Sequence, residues 1–176
     1  MNTNPSPNTL FQQLADVIQA EMEHWHVPGV AVGIWYEGQA YTAGFGVTNI
    51  EHPLPVDEHT LFQIGSTTKT ITTTAVLRLV EQGKLDLDAP VRAYLPDLQL
   101  ADEDTAVHVT TRHLLTHTGG WAGDFFKDTG LGDDAVARYV AQLVDLPQVV
   151  PLGTMWSYNN AGFSLAGRII EAVTGQ

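Results

Sequence analysis

The sequence has 176 residues, a length that fits one globular domain, and 44% of them are apolar. Its formal net charge is −12 with only 8 Lys and Arg residues, which excludes the basic surface needed to bind nucleic acid or an anionic membrane. The absence of cysteine excludes disulfides, thiolate metal sites and a cysteine nucleophile. The amino-terminal residues have no basic start or apolar core, and no apolar run reaches 18 residues, so we expect a cytoplasmic protein.

Residues 1–60 predict one helix followed by a β-hairpin and a loop. The helix is expected to begin with Asn8 or Thr9 as its cap and to end near Trp25. Its apolar residues recur at helical spacing: Leu10, Leu14, Val17, Ile18 and Met22. Two β-rich runs, 30–36 and 39–47, flank Glu37-Gly38 and indicate a hairpin. The first run is apolar on both faces, as in a strand that helices cover on at least one side.

Residues 61–176 predict a mostly helical region that begins at a serine. The apolar run 61–64 indicates the end of a strand, Gly65 a tight turn, and residues 66–82 a helix that Gly83 ends in a left-handed conformation. Four threonines between residues 70 and 74 make this helix weak by propensity. Its small and β-branched residues on several faces favour a helix buried between other elements.

Ser66 and Lys69 are three residues apart and are therefore neighbours on one face of this helix. The positive end of the helix dipole and partial burial both disfavour the ammonium form, so we expect the amine to accept the serine proton. The same helix end suits the oxyanion that forms when the serine hydroxyl attacks a carbonyl group. An N-cap serine and a solvated lysine give the same short pattern, so it is not decisive by itself.

Short helices are predicted after residue 84. One has Asp88 as its cap with Pro90 in the first turn, and a second is capped by Thr111 and stops before residues 118–120. An amphipathic helix begins at Asp133. The last helix follows residues 158–160, is closed by Gly175, and has four apolar residues at helical spacing: Ala161, Leu165, Ile169 and Ile170.

Residues 121–132 form a glycine-rich, aromatic loop, and residues 147–153 are predicted to be extended. Four aromatic residues of this region are equally suited to line a substrate cleft or to fill the core: Trp121, Phe125, Phe126 and Trp156. His24 and His26 flank Trp25, but no third ligand lies nearby in the sequence, so we predict surface histidines and no metal site.

Several motifs resemble, in order, those of one family. Residues 62–69, Phe-Gln-Ile-Gly-Ser-Thr-Thr-Lys, resemble the nucleophile motif of serine β-lactamases and penicillin-binding proteins. Residues 27–34, 114–120 and 158–167 resemble segments of the class C β-lactamase-related branch, which includes D-aminopeptidases, DD-carboxypeptidases and esterases. The resemblance runs from about Leu10 to Gly175. It implies an α+β, β-lactamase-like fold, in which a helical region packs on an antiparallel sheet, and no cofactor.

The resemblance also implies a role for each matching residue. Ser66 is the expected nucleophile and Lys69 its proton-accepting partner, and the Ser66 N–H is half of the oxyanion hole. Tyr158 is the expected general base, which passes the proton to the leaving group. Asn160 is expected to hydrogen-bond both the substrate and the lysine. The implied substrate is a small ester, D-amino-acid peptide or β-lactam, bound with the help of the aromatic residues Trp121, Phe125 and Trp156.

The sequence departs from the family pattern at one place. A third motif, Lys-Thr-Gly or His-x-Gly on a later strand, has no counterpart after Asn160, and residues 117–119 precede Tyr158 and are rejected as a match. His117 is therefore expected to cap the short helix before it and to brace the next loop. We expect a partial domain whose carboxy-terminal strands are missing and must come from a further segment or a partner. The alternative is a non-catalytic binding or scaffolding protein, or an inactive fragment, with the same fold.

Overall fold

The computed structural model describes residues 7–176, so part of the segment used for the export-signal prediction lies outside it. The chain has two compact units, one ending at Gln63 and one running from Ile64 to Gln176. The described residues are α+β, with six α-helices and a two-stranded antiparallel sheet. None of the described helices is long and apolar enough to cross a membrane.

The first unit contains helix α1 (Pro7–Trp25) and strands β1 (Gly29–Tyr36) and β2 (Gln39–Gly46). The strands are antiparallel and Tyr36 pairs with Gln39, so the turn consists of two residues. These residues, Glu37 and Gly38, have φ values of 48° and 78°, and such a turn matches the twist of the strands it joins. The predicted hairpin is confirmed.

The remaining predictions for the first unit concern the start of α1 and the faces of β1. Helix α1 begins at Pro7, so Asn8 and Thr9 lie inside it, and the prediction that one of them is the cap is wrong. Strand β1 packs against α1, where Ile34 lines a groove with Leu14, while Trp35 is exposed. The strand is therefore covered on one side, as expected.

The second unit is built around its last helix. It begins with a 3-10 turn (Gly65–Thr67) that leads into α2 (Thr68–Glu81). The other helices, in order, are α3 (Glu103–His108), α4 (Thr111–Leu115), α5 (Ala135–Val140) and α6 (Asn160–Thr174). Two further 3-10 turns are Val91–Ala93 and Leu143–Asp145. Helix α6 packs against α2, α4 and α5, and so brings together elements that are distant in sequence.

Helix α6 has the apolar face and the glycine ending that the sequence predicted. Asn159 is its N-cap, and Gly175 follows it with φ of 74°. Ala161, Leu165 and Ile169 lie four residues apart on one face and are fully buried. Burying a Leu or Ile side chain contributes roughly 1.5–3 kcal/mol, so this face anchors α6 in the core of the second unit.

The predicted ending of α2 is confirmed, but its predicted burial is not. Gly83 has φ of 68°, and the N–H groups of Gly83 and Lys84 donate to the carbonyls of Val80 and Leu79, a Schellman ending. Among the described residues of α2, only Val76 and Leu79 are buried. The prediction that this helix is buried between other elements is therefore wrong, because α2 packs against α6 along one face.

Residues 61–64 form no strand. No described strand pairs with this segment, so its apolar side chains have no ladder to join, and Leu61 is 96% exposed. Asp88 is not a cap either, since its carboxylate accepts two hydrogen bonds from Arg112 (2.7 and 2.8 Å) while Pro90 occupies the cap position. The predicted strand and cap are both wrong.

The middle of the second unit differs from prediction in three further places. Thr110, not Thr111, caps α4, because its hydroxyl accepts from the His113 N–H and the His113 ring accepts from the Thr110 N–H. Helix α5 ends at Val140 and Leu143 lies in a separate 3-10 turn, so the helix predicted from Asp133 is shorter. Helix α3 was not predicted at all, although Asp102 caps it.

Candidate active site

The amino-terminal ends of α2 and α6 meet at Ser66. This serine lies in the 3-10 turn that leads into α2, and Lys69 lies in the first turn of α2 itself. Asn160 is the first residue of α6, and Tyr158 precedes it by two residues. Because α2 packs against α6, these four predicted residues lie together although about ninety positions separate the two pairs.

Short polar contacts connect the four side chains. The phenol oxygen of Tyr158 lies 2.5 Å from Ser66 Oγ. Lys69 Nζ also donates to Ser66 Oγ, at 3.2 Å. Lys69 Nζ also donates to Asn160 Oδ1 at 2.7 Å. Ser66 Oγ therefore has an amine on one side and a phenol on the other, each within reach of its proton.

The charges around Tyr158 favour its phenolate form. The amine of Lys69, followed by the hydroxyl of Ser66, holds the pKa of Tyr158 below its ordinary value of 10.0. Lys69 Nζ lies 4.7 Å from the centre of the Tyr158 ring, and 5.5 Å from that of Phe163. The positive ends of two helix dipoles add to this field. The site is thus arranged for a phenol that gives up its proton more readily than free tyrosine.

His117 holds the segment before α6 in place. Its Nδ1 accepts from the Asn159 N–H (3.0 Å), its carbonyl accepts from the Ser157 N–H (2.9 Å), and its ring centre lies 4.7 Å from that of Tyr158. Burial, followed by the nearby charge of Lys69, lowers the pKa of His117, which keeps the ring neutral and able to accept.

The backbone of His117 also ends the helix before it. His117 has φ of 59°, and its N–H donates to the carbonyl of Leu114 while that of Thr118 donates to His113, as in a Schellman ending. Histidine tolerates this left-handed conformation better than most residues do. The expected capping of the short helix by His117 is confirmed, whereas its other described contacts brace the segment before α6 and not the loop that directly follows His117.

The aromatic residues predicted for substrate binding are not all in one place. A cavity of about 370 Å³ lies beside Lys69 and Asn160, and Phe125 and Phe126 line it. Trp121 is 4% exposed and belongs to the core. Trp156 is 64% exposed, and its ring makes a T-shaped contact with His117. Among the described residues, no group of three or more His, Cys, Asp or Glu could hold a metal ion.

The family model described as Beta-lactamase matches residues 14–176. The chain belongs to the β-lactamase family. Two curated relatives and one solved structure illustrate the likeness. Penicillin-binding protein 4 of Amycolatopsis lactamdurans is 39% identical over 172 residues, and esterase EstB of Burkholderia gladioli is 36% identical over 173 residues. The crystal structure of a class C β-lactamase superposes with a TM-score of 0.82 at 28% identity. The family resemblance and the α+β, β-lactamase-like fold predicted from the sequence are confirmed.

Coverage of these proteins is unequal. The alignments cover 98% and 90% of this chain but 44% of each curated relative, and the superposition covers 99% of this chain and 47% of the class C β-lactamase. The chain therefore spans less than half the length of the family members it matches.

Two residues of the site were missed in the sequence. Asn159, buried between Tyr158 and Asn160, accepts from the Gly162 N–H (2.7 Å) and donates to the Trp121 carbonyl (3.0 Å). An asparagine directly before a predicted helix is a preferred cap, and that pattern could have identified it. Asp124 accepts from Asn160 Nδ2 at 2.9 Å, and no local pattern in the sequence indicates this contact.

A close backbone approach explains one glycine of the loop. The Gly123 carbonyl accepts from the N–H groups of Asn160 and Ala161 at the start of α6. A Cβ atom at position 123 would lie 2.7 Å from the Tyr158 carbonyl oxygen, closer than real Cβ contacts. The loop can therefore hold Tyr158 and Asn160 in this position only with glycine at residue 123.

Proposed function

We propose that the protein is a serine hydrolase that works through an acyl-enzyme on Ser66. The observation that carries this proposal is the environment of Ser66 Oγ, which has the Tyr158 phenol at 2.5 Å and the Lys69 amine at 3.2 Å. A hydroxyl is a weak nucleophile until a neighbouring base takes its proton, and a tyrosine of lowered pKa is such a base.

In the proposed acylation step, Tyr158 as phenolate takes the proton of Ser66, and Oγ attacks the substrate carbonyl carbon. Lys69, whose Nζ donates to Ser66 Oγ and Asn160 Oδ1, stabilises the phenolate by its charge and is not assigned the proton-accepting role predicted from the sequence. The Ser66 N–H, which has no backbone acceptor among the described residues, stabilises the oxyanion of the tetrahedral intermediate. The intermediate collapses as the bond to the leaving amine or alcohol breaks, and Tyr158 gives that group its proton.

Deacylation repeats these roles with water in place of serine. Tyr158 takes a proton from the water, the hydroxide attacks the acyl carbon, and Ser66 leaves as an alcohol when it regains a proton from Tyr158. Asn160 holds Lys69 through Oδ1, and the amide N–H that does not donate to Asp124 orients the substrate carbonyl. General base catalysis of this kind contributes about 10²–10⁴ in rate.

The proposed substrates are small esters, D-amino-acid peptides and β-lactams. Relatives named as a penicillin-binding protein, an esterase and a β-lactamase support these classes. We assign Phe125, together with Phe126, to substrate binding because they line the cavity next to Lys69. Trp121 is not assigned, because its side chain is buried in the core. Trp156 remains a candidate, exposed beside His117.

Acylation of Ser66 tests the proposal directly. The purified protein is treated with a fluorophosphonate or with penicillin, and the adduct is located by mass spectrometry. We expect one adduct, on Ser66, that is lost in Ser66→Ala and retained in Ser164→Ala, because Ser164 lines the same cavity but has no described hydrogen bond to Tyr158 or Lys69. Hydrolysis of an ester, nitrocefin and a D-Ala-D-Ala peptide then ranks the substrate classes. An unmodified Ser66, with hydrolysis unchanged in Ser66→Ala, would favour the non-catalytic binding protein.

A further inference from the structure

The side-chain amide of Asn160 lies between two charged groups of opposite sign. Lys69 Nζ donates to Oδ1 at 2.7 Å, and Nδ2 donates to the carboxylate of Asp124 at 2.9 Å. Asp124 is on the loop between α4 and α5, so the two partners reach the amide from different elements. The neighbouring Gly123 carbonyl accepts from the Asn160 backbone N–H, which ties this loop to the start of α6 a second time.

The two charges permit only one orientation of the amide. A lysine ammonium has donors and no acceptor, and an ionised carboxylate has acceptors and no donor. Turning the amide by 180° would place its NH₂ group against the ammonium and its oxygen against the carboxylate, so that two charge-assisted hydrogen bonds become two repulsive contacts. Lys69 alone would allow the NH₂ group to point in any direction that leaves Oδ1 facing the amine.

We propose that Asp124 is the positioning residue of this site, which fixes the Asn160 amide with Oδ1 on Lys69 and its remaining N–H toward the substrate carbonyl. This inference rests on the proposed function. Asp124 touches neither Ser66 nor Tyr158 among the described contacts and acts through Asn160. Lys69 is thereby held at the distance from Ser66 and Tyr158 at which its charge stabilises the phenolate.

The first test compares substitutions at Asp124 with a matched change on the same loop. Asp124→Ala removes the acceptor, and we expect acylation of Ser66 by a fluorophosphonate to slow about tenfold to 100-fold, the effect of misplacing a reacting group by a fraction of an ångström to an ångström. Asp124→Asn keeps an acceptor but also offers a donor, so we expect an intermediate rate. Asp128→Asn removes the same charge from the same loop, keeps the acceptor for the Gly130 N–H, and is expected to acylate at the unchanged rate.

The pH profile separates lost positioning from lost charge. The charged or titratable groups that face Tyr158 are Lys69, His117 and Asp124, and the negative charge of Asp124 opposes phenolate formation. Removing that charge in Asp124→Asn by itself moves the rise of the acylation rate to lower pH without slowing the plateau, so the lower plateau that we expect reports the loss of positioning. Asp128→Asn should leave the profile in place. Thermal unfolding of both variants should match that of the parent protein, because both side chains are exposed.

A second readout does not depend on activity. In ¹⁵N NMR spectra, the Asn160 side-chain NH₂ signal, assigned by its loss in Asn160→Ala, should shift as the Asp124 carboxyl is protonated, and should not shift in Asp124→Asn. An unmodified parent protein with this NMR response would overturn the proposed function and leave the contact intact. Acylation of Asp124→Ala at the parent rate, or an NH₂ signal that ignores the titration of Asp124, would overturn the positioning role.

Discussion

We expect Asn159→Ala to destabilise the second unit and to disrupt the site together. The Asn159 side chain is 3% exposed and makes two hydrogen bonds, from the Gly162 N–H at the start of α6 and to the carbonyl of Trp121. Alanine removes both. Each partner is a backbone group that then has to remain in the interior without its side-chain partner.

The magnitude follows from these two losses. Removing an asparagine N-cap costs about 1 kcal/mol, with a range of about 0.5–2 kcal/mol. Leaving the buried Trp121 carbonyl without its donor costs about 1–3 kcal/mol. We therefore expect the free energy of unfolding to fall by about 2–4 kcal/mol. Asn159→Asp retains the acceptor for Gly162 but not the donor for Trp121, so it should lose about 1–3 kcal/mol.

Urea unfolding followed by far-UV circular dichroism and tryptophan fluorescence measures these differences. Asn49→Ala is the matched control, because Asn49 accepts from the N–H groups of Glu51 and His52 in an exposed loop of the first unit. We expect it to change stability by less than about 0.5 kcal/mol. A loss below that value in Asn159→Ala, or an equal loss in both variants, would refute the assignment of Asn159 as the buried support of the site.

Further predictions concern the base, pH and two glycines. Tyr158→Phe should slow acylation of Ser66 by about 10²–10⁴-fold with an unchanged unfolding curve, and a rate within threefold of the parent would remove Tyr158 from the mechanism. Burial is the first cause that depresses the pKa values of His113 and His117 in the folded protein below their ordinary value of 6.5. The unfolded chain therefore binds more protons just below pH 6.5, so stability is complete above that pH and is lost as the pH falls through the folded values. In the double variant His113→Gln, His117→Asn, glutamine keeps the capping box and asparagine tolerates the left-handed backbone. The free energy of unfolding in urea should then vary less with pH between pH 7.5 and 5, and an unchanged pH dependence would contradict this prediction. At Gly167 on α6, an added Cβ would have no heavy atom within 4 Å, so Gly167→Ala should raise the free energy of unfolding by about 0.5–1 kcal/mol in the same assay. Gly123→Ala should lower the free energy of unfolding and abolish acylation of Ser66, since its Cβ would collide with the Tyr158 carbonyl. Equal effects of Gly123→Ala and Gly167→Ala would contradict both predictions.

Local features were predictable because they depend on neighbours in sequence. The hairpin follows from β-rich runs around Glu37-Gly38, and the end of α2 follows from Gly83. Helix α6 follows from a polar start, an apolar stripe and Gly175. Predictions failed where a local pattern had two outcomes. Asp88 resembles a cap, but its carboxylate pairs with Arg112, 24 residues away.

The sequence by itself determined which side chains are available for chemistry and, through spacing and motif order, the family to which the chain belongs. Ser66 and Lys69 are one helical turn apart in any helix that contains them. Only the tertiary structure decided that Tyr158, 92 residues after Ser66, lies 2.5 Å from its hydroxyl, because the packing of α6 on α2 sets that distance. The same packing sets Asp124 against Asn160, a contact of two side chains 36 residues apart that no periodicity encodes.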